Sequence, residues 1–168
     1  MIKTNRLTIK QLSPCDRDAV KAIVTDETVK KTYMLPDLGT EEEITKMFER
    51  LLKHSRSRKT YLVGIYLGKK LIGFVNEVET EGNSIELGYV INSDYHNHGY
   101  MTEALKAVID ALLQKGFLSV ITGAFEENIA SIKVMKKCGM KKINKEEDLE
   151  YRGKTHRCVY YAVSAQNK

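Results

Sequence analysis

A strand–helix–strand segment in the middle of the chain constrains the fold more than any other feature of the sequence. Residues 84–91 are strand-like, a polar loop follows at residues 92–98, and a long helix then runs to Gly116 with its apolar side chains on one face. Residues 118–124 are rich in β-branched side chains, which are typical of strands. Because crossovers of this kind are right-handed in nearly all proteins, the two strands are predicted to lie parallel in one sheet, with the helix packed against it.

Short turns join the strands that precede this segment. Strand-like runs at residues 60–67, 71–80 and 84–91 are separated by turns of three residues each, and turns this short predict an antiparallel meander. Two helices are predicted before the meander. Ser13, followed by proline, begins a helix that ends near residue 24, and Thr40 begins a capping box that opens the second helix.

The remaining elements complete an α/β (α+β) pattern. Residues 6–12 alternate between polar and apolar side chains, as a half-buried strand does, and residues 141–150 and 156–163 are predicted strands near the end of the chain. Asn128 is predicted to cap a short helix at residues 129–138. The whole order predicts a mixed, mostly antiparallel sheet of about seven strands with helices on both faces.

Composition limits the classes of protein to which the chain can belong. No linker or repeat divides it, so residues 1–168 are predicted to form a single domain. No apolar run approaches the roughly 18 residues of a membrane span, and the N-terminus has no apolar signal core, so we expect a cytoplasmic protein without a membrane partner.

Three scattered cysteines make a poor disulfide framework and a poor zinc site, and no metal is expected. The net charge of +5 suits a polyanionic ligand, without distinguishing nucleic acid from a nucleotide cofactor.

The polar loop and the start of the helix after it form a candidate anion site. A strand that runs through such a loop into a helix turns consecutive backbone N–H groups toward one point at the positive end of the helix dipole, and a diphosphate fits there. Gly99 lets the backbone approach a phosphate without a Cβ in the way. The loop lacks both the GK[ST] sequence of a Walker A loop and the GxGxxG dinucleotide fingerprint. Taken alone, one glycine before a helix more often marks a simple turn.

A second segment, residues 126–140, combines an asparagine, a serine and a glycine at helical spacing. The structural interpretation is sufficient for the local sequence: Asn128 caps the short helix, Ile132 and Met135 pack, and Gly139 ends it. Chemistry enters only when this segment is considered together with the loop.

The two segments in this order resemble the GNAT superfamily, the Gcn5-related N-acetyltransferases, and in particular the branch of RimJ/RimL-type ribosomal-protein N-terminal acetyltransferases. The likeness extends from about residue 5 to residue 163. It is carried by Asn5-Arg6-Leu7-Thr8-Ile9, Glu86-Leu87-Gly88-Tyr89, Gly99-Tyr100-Met101-Thr102-Glu103-Ala104, and Asn128, Ser131 and Gly139-Met140. It implies the GNAT fold, acetyl-CoA as cosubstrate and an amine as acceptor; dimers are common in this branch, which suggests a homodimer.

The resemblance also implies how acetyl-CoA would be held. The fourth and fifth predicted strands, residues 84–91 and 118–124, would splay apart, and the pantetheine arm would pair with the backbone of the first. A backbone N–H of Val90 or Ile91 would polarise the thioester carbonyl. The implied cofactor-binding residues are Tyr89, Val90, Ile91, His96, Asn97, His98, Gly99, Tyr100, Met101, Thr102, Asn128 and Ser131.

Catalytic roles follow the resemblance with departures. His96 and Met101 stand where the family loop has Gln or Arg and Gly or Ala, and Met135 stands where many members place a proton-donating Tyr. Ser131 matches the serine proposed to replace that Tyr in the RimL-like branch. For the base that deprotonates the amine we favour Glu86, acting through water, with Glu126 as the second choice.

The sequence therefore predicts an N-acetyltransferase that works by direct attack in a ternary complex. The first choice of acceptor is a protein N-terminal α-amine, and a polyamine, amino acid or antibiotic is the alternative. The acceptor loops are predicted at residues 29–39 and 145–155. Two other functions are weighed against this one. A non-catalytic acyl-CoA-binding module gains some support from the missing Tyr, whereas a small nucleic-acid-binding protein lacks an aromatic platform, a zinc-knuckle spacing and a continuous basic stripe.

Overall fold

The computed structural model describes residues 1–165; the last three residues of the predicted domain, 166–168, lie outside the described range. Within residues 1–165 the chain forms one eight-stranded sheet with the strand order β1-β2-β3-β4-β5-β6-β8-β7. Its strands are β1 (Ile2–Lys3), β2 (Leu7–Lys10), β3 (Leu62–Leu67), β4 (Lys70–Glu81), β5 (Ser84–Ile91), β6 (Ser119–Phe125), β7 (Lys141–Tyr151) and β8 (Lys154–Ser164). The helices are α1 (Arg17–Val24), α2 (Glu27–Lys30), α3 (Glu41–Arg56), α4 (Tyr100–Gln114) and α5 (Ile129–Lys137).

The central crossover is as predicted. Strand β5 pairs parallel with β6 across helix α4, and every other strand pair is antiparallel. The mixed, mostly antiparallel sheet is thus confirmed, with one strand more than the seven expected. The additional strand, β1, has two residues, and the unpredicted helix α2 has a single turn whose first N–H groups bond to Asp26. Elements this short leave no periodic pattern in a sequence.

Strands β5 and β6 part halfway along their length. Their pairing runs from Ser84 with Ser119 to Leu87 with Thr122 and then stops, because β5 continues beside β4 and β6 continues beside β8. This is the predicted splay of the fourth and fifth strands, which the additional strand renumbers as β5 and β6.

Glycine occupies the first position beyond the last pair on both strands. A Cβ at Gly123 would lie 2.7 Å from the ring of Tyr160, and one at Gly88 would lie 3.2 Å from the Oδ1 atom of Asn76. Glycines inside strands therefore allow close packing where the sheet opens.

Two apolar cores, one on each face of the sheet, fix the helices around this opening. Helices α4 and α5 pack on one face, where Leu105, Val108, Ile109 and Leu112 of α4 are almost fully buried, and α1 to α3 pack on the other. Each buried aliphatic side chain contributes up to about 1.5–3 kcal/mol to the free energy of folding. The N-terminus of α4 is thereby placed next to the gap between β5 and β6.

Candidate active site

A cavity of about 500 Å³ lies where the start of α4, the gap between β5 and β6, and the start of α5 meet. This volume is in the usual range for small-molecule sites. Of the twelve predicted cofactor-binding residues, eleven line this cavity, and only His98 does not. The eleven are Tyr89, Val90, Ile91, His96, Asn97, Gly99, Tyr100, Met101, Thr102, Asn128 and Ser131.

The loop before α4 has the backbone shape of an anion site. Asn97 and Gly99 have positive φ angles of 62° and 74°, and α4 begins at Gly99 without a side-chain cap. The first N–H groups of a helix have no intrahelical partner, so those of α4 are available to a ligand in the cavity. The Nε2–H group of His96 donates to the carbonyl of Ile91 at 3.1 Å and ties the loop to the end of β5. The exposed His98 donates from Nδ1 to the carbonyl of His96 at 2.6 Å and stacks on Tyr100.

Arg6, which lies near the N-terminus, supports this loop from outside the cavity. The sequence did not predict this contact. The guanidinium of Arg6 donates to the carbonyl of His98 at 3.0 Å, pairs with the carboxylate of Glu103 at 2.7 Å, and lies 4.5 Å from the ring centre of Tyr100. Thr4 donates to the same carboxylate at 2.6 Å. Burial alone would raise the pKa of Glu103, but the hydrogen bonds from Thr4 and Arg6 lower it below its ordinary value, so this carboxylate is ionised at neutral pH. We call the contacts of Arg6 with Glu103 and with the loop the brace.

At the other end of the cavity, the hydroxyl of Ser131 lies 2.6 Å from that of Tyr89. Asn128 fixes the serine, because its Oδ1 atom accepts from the backbone N–H of Ser131 at 3.1 Å. Burial raises the pKa of Tyr89 well above its ordinary value, so the phenol stays protonated and can donate. Asn128 therefore caps α5 as predicted, and its side-chain NH₂ group is the part that can face a ligand.

The two candidate bases lie in different surroundings, and neither lines the cavity. Glu86 is two residues before Gly88 on the same face of β5, about 7 Å along the strand. Its carboxylate accepts from the ammonium group of Lys145 at 3.0 Å. Burial alone would lower the pKa of Lys145, but Glu86 and Glu147 raise it above its ordinary value. Glu126 is exposed just beyond β6.

Comparison with known protein families shows to which family the chain belongs. The family described as Acetyltransferase (GNAT) domain matches residues 6–141, which is most of the chain. The chain belongs to the GNAT family of acetyltransferases.

Individual relatives agree with the family. The N-acetyltransferase YnaD of Bacillus subtilis (strain 168), itself uncharacterized, is 32% identical over 143 residues, which cover 84% of this chain and 82% of that protein. A GNAT-family acetyltransferase from Bacillus anthracis has a TM-score of 0.83 at 24% identity over 98% of both chains. RimL, described as a ribosomal L7/L12 alpha-N-protein acetyltransferase and solved with coenzyme A, has a TM-score of 0.81 at 16% identity, covering 98% of this chain and 97% of its own. The protein is an N-acetyltransferase with the predicted GNAT fold.

In this GNAT chain the two predicted acceptor segments meet beside the cavity, although the second of them, residues 145–155, is not a loop: it belongs to β7 and β8 except for the turn at Arg152-Gly153. The hydroxyl of Tyr151, at the tip of the β7–β8 hairpin, donates to the carbonyl of Tyr33 at 3.3 Å. Next to it, Arg152 pairs with Glu27 at 3.0 Å and with Asp37 at 3.5 Å. Tyr33 itself lines the cavity. A hydrogen bond and two ion pairs thus join two segments that are more than 100 residues apart in sequence at one end of the acetyltransferase site.

The acetyltransferase cavity also contains basic side chains. Of the lysines near α5, Lys133 and Lys137 are in its lining. Among residues 1–165, no group of three or more His, Cys, Asp or Glu side chains is arranged to hold a metal ion. None of the helices in this part of the chain combines the length and apolar character that crossing a membrane requires.

Proposed function

We propose that the chain transfers the acetyl group of acetyl-CoA to the α-amine of a protein N-terminus by direct attack in a ternary complex. One observation carries the proposal: a single cavity joins the uncapped start of α4, the gap between β5 and β6, and the hydroxyl pair of Ser131 and Tyr89. Acetyl-CoA presents a diphosphate, an extended arm and a thioester in the same order, so its three parts match the three parts of the cavity.

The residues present fit acetyl-CoA. The backbone N–H groups from Asn97 to Thr102 would hold the diphosphate at the positive end of α4, where the left-handed conformation of Gly99 shapes the loop. Beyond Leu87 the backbone edge of β5 is no longer paired with β6, and it would bond the pantetheine arm. The NH₂ group of Asn128 would donate to the same arm. A backbone N–H of Val90 or Ile91 would polarise the thioester carbonyl.

The chemistry needs a base for the amine and a donor for the leaving thiolate. Glu86 takes the proton of the acceptor ammonium through a water molecule, because the carboxylate lies on β5 about 7 Å along the strand from Gly88 and does not line the cavity itself. The amine nitrogen then forms a bond to the carbonyl carbon while the carbon–sulfur bond breaks, and the second proton of the nitrogen passes by way of the Ser131 hydroxyl to the sulfur that leaves. The hydroxyl of Ser131 donates to the sulfur that leaves. Tyr89 positions the serine, because its hydroxyl donates to the backbone carbonyl of Ser131 at 3.2 Å and lies 2.6 Å from the serine hydroxyl. Glu126 stays the second choice of base.

The acceptor follows from the RimJ/RimL likeness and from the two segments joined beside the cavity. RimL acts on a protein α-amine, and its fold covers nearly the whole of this chain. A small amine, such as a polyamine, an amino acid or an antibiotic, is the alternative acceptor. We further propose a cytoplasmic location, in keeping with three cysteines that form no disulfide, and a homodimer, which light scattering of the purified protein tests directly.

A thiol-release assay tests the proposed function. Purified protein and acetyl-CoA are incubated with ribosomal-protein N-terminal peptides and with a panel of small amines. We expect coenzyme A release that depends on both the enzyme and a peptide with a free α-amine, and none with the same peptide blocked at its N-terminus. Release with small amines but with no peptide would assign the alternative acceptor class, and release with no amine at all would contradict the proposal.

A further inference from the structure

A second cavity, of about 360 Å³, lies beside the acetyl-CoA cavity and takes no part in the steps above. It lies between the segment after α2, helix α3, and strands β3 and β4. Apolar side chains form most of its wall, among them Leu35, Met47, Leu62 and Phe74. We call it the apolar cavity.

The two cavities meet at Tyr33, which lines both of them. The Tyr33 hydroxyl donates to the Oδ1 atom of Asn76 at 2.6 Å. Asn76 lines the apolar cavity and pairs in register with Gly88, the residue at which β5 and β6 part. An added Cβ at Gly88 would lie 3.4 Å from the Tyr33 hydroxyl. The apolar cavity therefore begins beside Gly88, the residue at which β5 and β6 part.

Two large apolar side chains are left in water beside this cavity. Met34 is 49% exposed and Val78 is 60% exposed, and both line it. Covering such side chains is favourable only for an apolar ligand.

The charged groups of the apolar cavity, Glu77 and Arg50, have opposite signs and so give no net attraction for a second ammonium group in the ligand. The carboxylate of Glu77 already accepts from the backbone N–H of Tyr61 at 2.8 Å and from the hydroxyl of Thr80 at 2.9 Å. Arg50 adds a positive charge to the lining. An apolar substituent therefore suits this cavity better than the further ammonium groups of a polyamine.

We infer that the apolar cavity is the specificity pocket for the acceptor: it takes an alkyl or aromatic group carried a few carbons from the primary amine. The inference rests on the proposed acetyl transfer and names the chemical class of its acceptor. The source is either a small amine or the first side chain of a protein N-terminus, and in both cases the shared chemistry is a primary amine with an apolar substituent.

A homologous series of amines measures the pocket. Ethylamine, butylamine and hexylamine have nearly the same basicity, so differences in kcat/KM report contacts of the chain rather than deprotonation. Burying one methylene is worth a factor of roughly four, so each added pair of methylenes is expected to raise kcat/KM by about 15-fold while the pocket fills. A parallel arm compares peptides with Phe or Ser at the N-terminus, and it distinguishes a protein acceptor from a small one.

Charge placed in the pocket should remove this preference. Val78→Asp and Met34→Asp change exposed side chains and are expected to fold, to leave the KM for acetyl-CoA unchanged, and to flatten the rise from ethylamine to hexylamine. Leu118→Asp is the matched control, because Leu118 is an equally exposed apolar residue, at 59%, away from both cavities. It is expected to keep the full rise.

Binding without turnover separates this inference from the proposed function. Calorimetry with hexylamine, in the presence of coenzyme A, is expected to show binding that Val78→Asp weakens and Leu118→Asp does not. If hexylamine bound in this way but no amine or peptide released thiol, acetyl transfer to amines would be wrong, and the apolar cavity would stand only as a binding site for an apolar amine. A flat series, or a rise that Val78→Asp and Met34→Asp leave intact, would overturn the pocket even if acetylation were vigorous.

Discussion

Replacing Gly99 by alanine should weaken acetyl-CoA binding through backbone strain alone. The φ angle of Gly99 is 74°, and a residue with a Cβ pays roughly 1–2 kcal/mol in this left-handed region. Crowding adds little, because the new Cβ would lie 3.6 Å from the nearest atom, the Nη2 of Arg6, which is an ordinary contact. Since residues 97–99 are exposed, the free loop can relieve the strain by rotating its backbone, and binding must then restore it. The dissociation constant for acetyl-CoA is therefore expected to rise roughly 5- to 30-fold.

Gly82 provides the matched control for this experiment. It has a φ angle of 55° in the turn between β4 and β5, and nothing lies within 4 Å of its added Cβ. Gly82→Ala therefore introduces the same kind of strain away from the cavity, and it should lower the melting temperature by a few degrees while leaving acetyl-CoA affinity unchanged. Both affinities are measured by calorimetry. Affinity of Gly99→Ala equal to that of the wild type, or an equal loss in Gly82→Ala, would refute the reasoning.

Three further variants test the brace and the two catalytic groups. Arg6→Ala frees the loop, so the KM for acetyl-CoA should rise about tenfold with little change in kcat, and an unchanged KM would exclude the brace. In the wild type the pKa of Glu103 is lowered, so the brace should hold from pH 8 down to about pH 5 and weaken only at more acid pH. Tyr89→Phe removes one hydrogen bond of about 1 kcal/mol and should lower kcat about fivefold, but it should have no effect in a Ser131→Ala background; additive losses would show that the two hydroxyls act separately. Glu86→Gln should lower kcat/KM most at low pH, where fewer amines are already deprotonated, and an unchanged pH–rate profile would remove Glu86 from the role of base.

The sequence predicted the parts of the site that lie close together in the chain. The loop, the start of α4 and the positions of Asn128 and Ser131 each belong to one short segment, and the crossover rule brings those segments to the same edge of the sheet. The fold then places eleven of the twelve predicted cofactor-binding residues in one cavity. His98 is the exception, because its ring stacks on Tyr100 outside the cavity.

The sequence could not predict contacts between distant segments. Arg6 and Glu103 are 97 residues apart, Glu86 and Lys145 are 59 apart, and Tyr33 and Asn76 are 43 apart. No periodicity or motif links such pairs, since their meeting depends on strand register and on the course of the loops. The two glycines at which β5 and β6 part could have predicted the close packing there, since a glycine inside a strand often marks a close approach of another group.

Amide chemical shifts during a coenzyme A titration test the central claim most directly. In ¹⁵N-labelled protein, the backbone amides from Asn97 to Thr102 are expected to shift together and to gain protection from hydrogen exchange as the ligand saturates, because they grip its diphosphate. Coenzyme A binding that left those amides unperturbed, or no binding at all, would contradict the account.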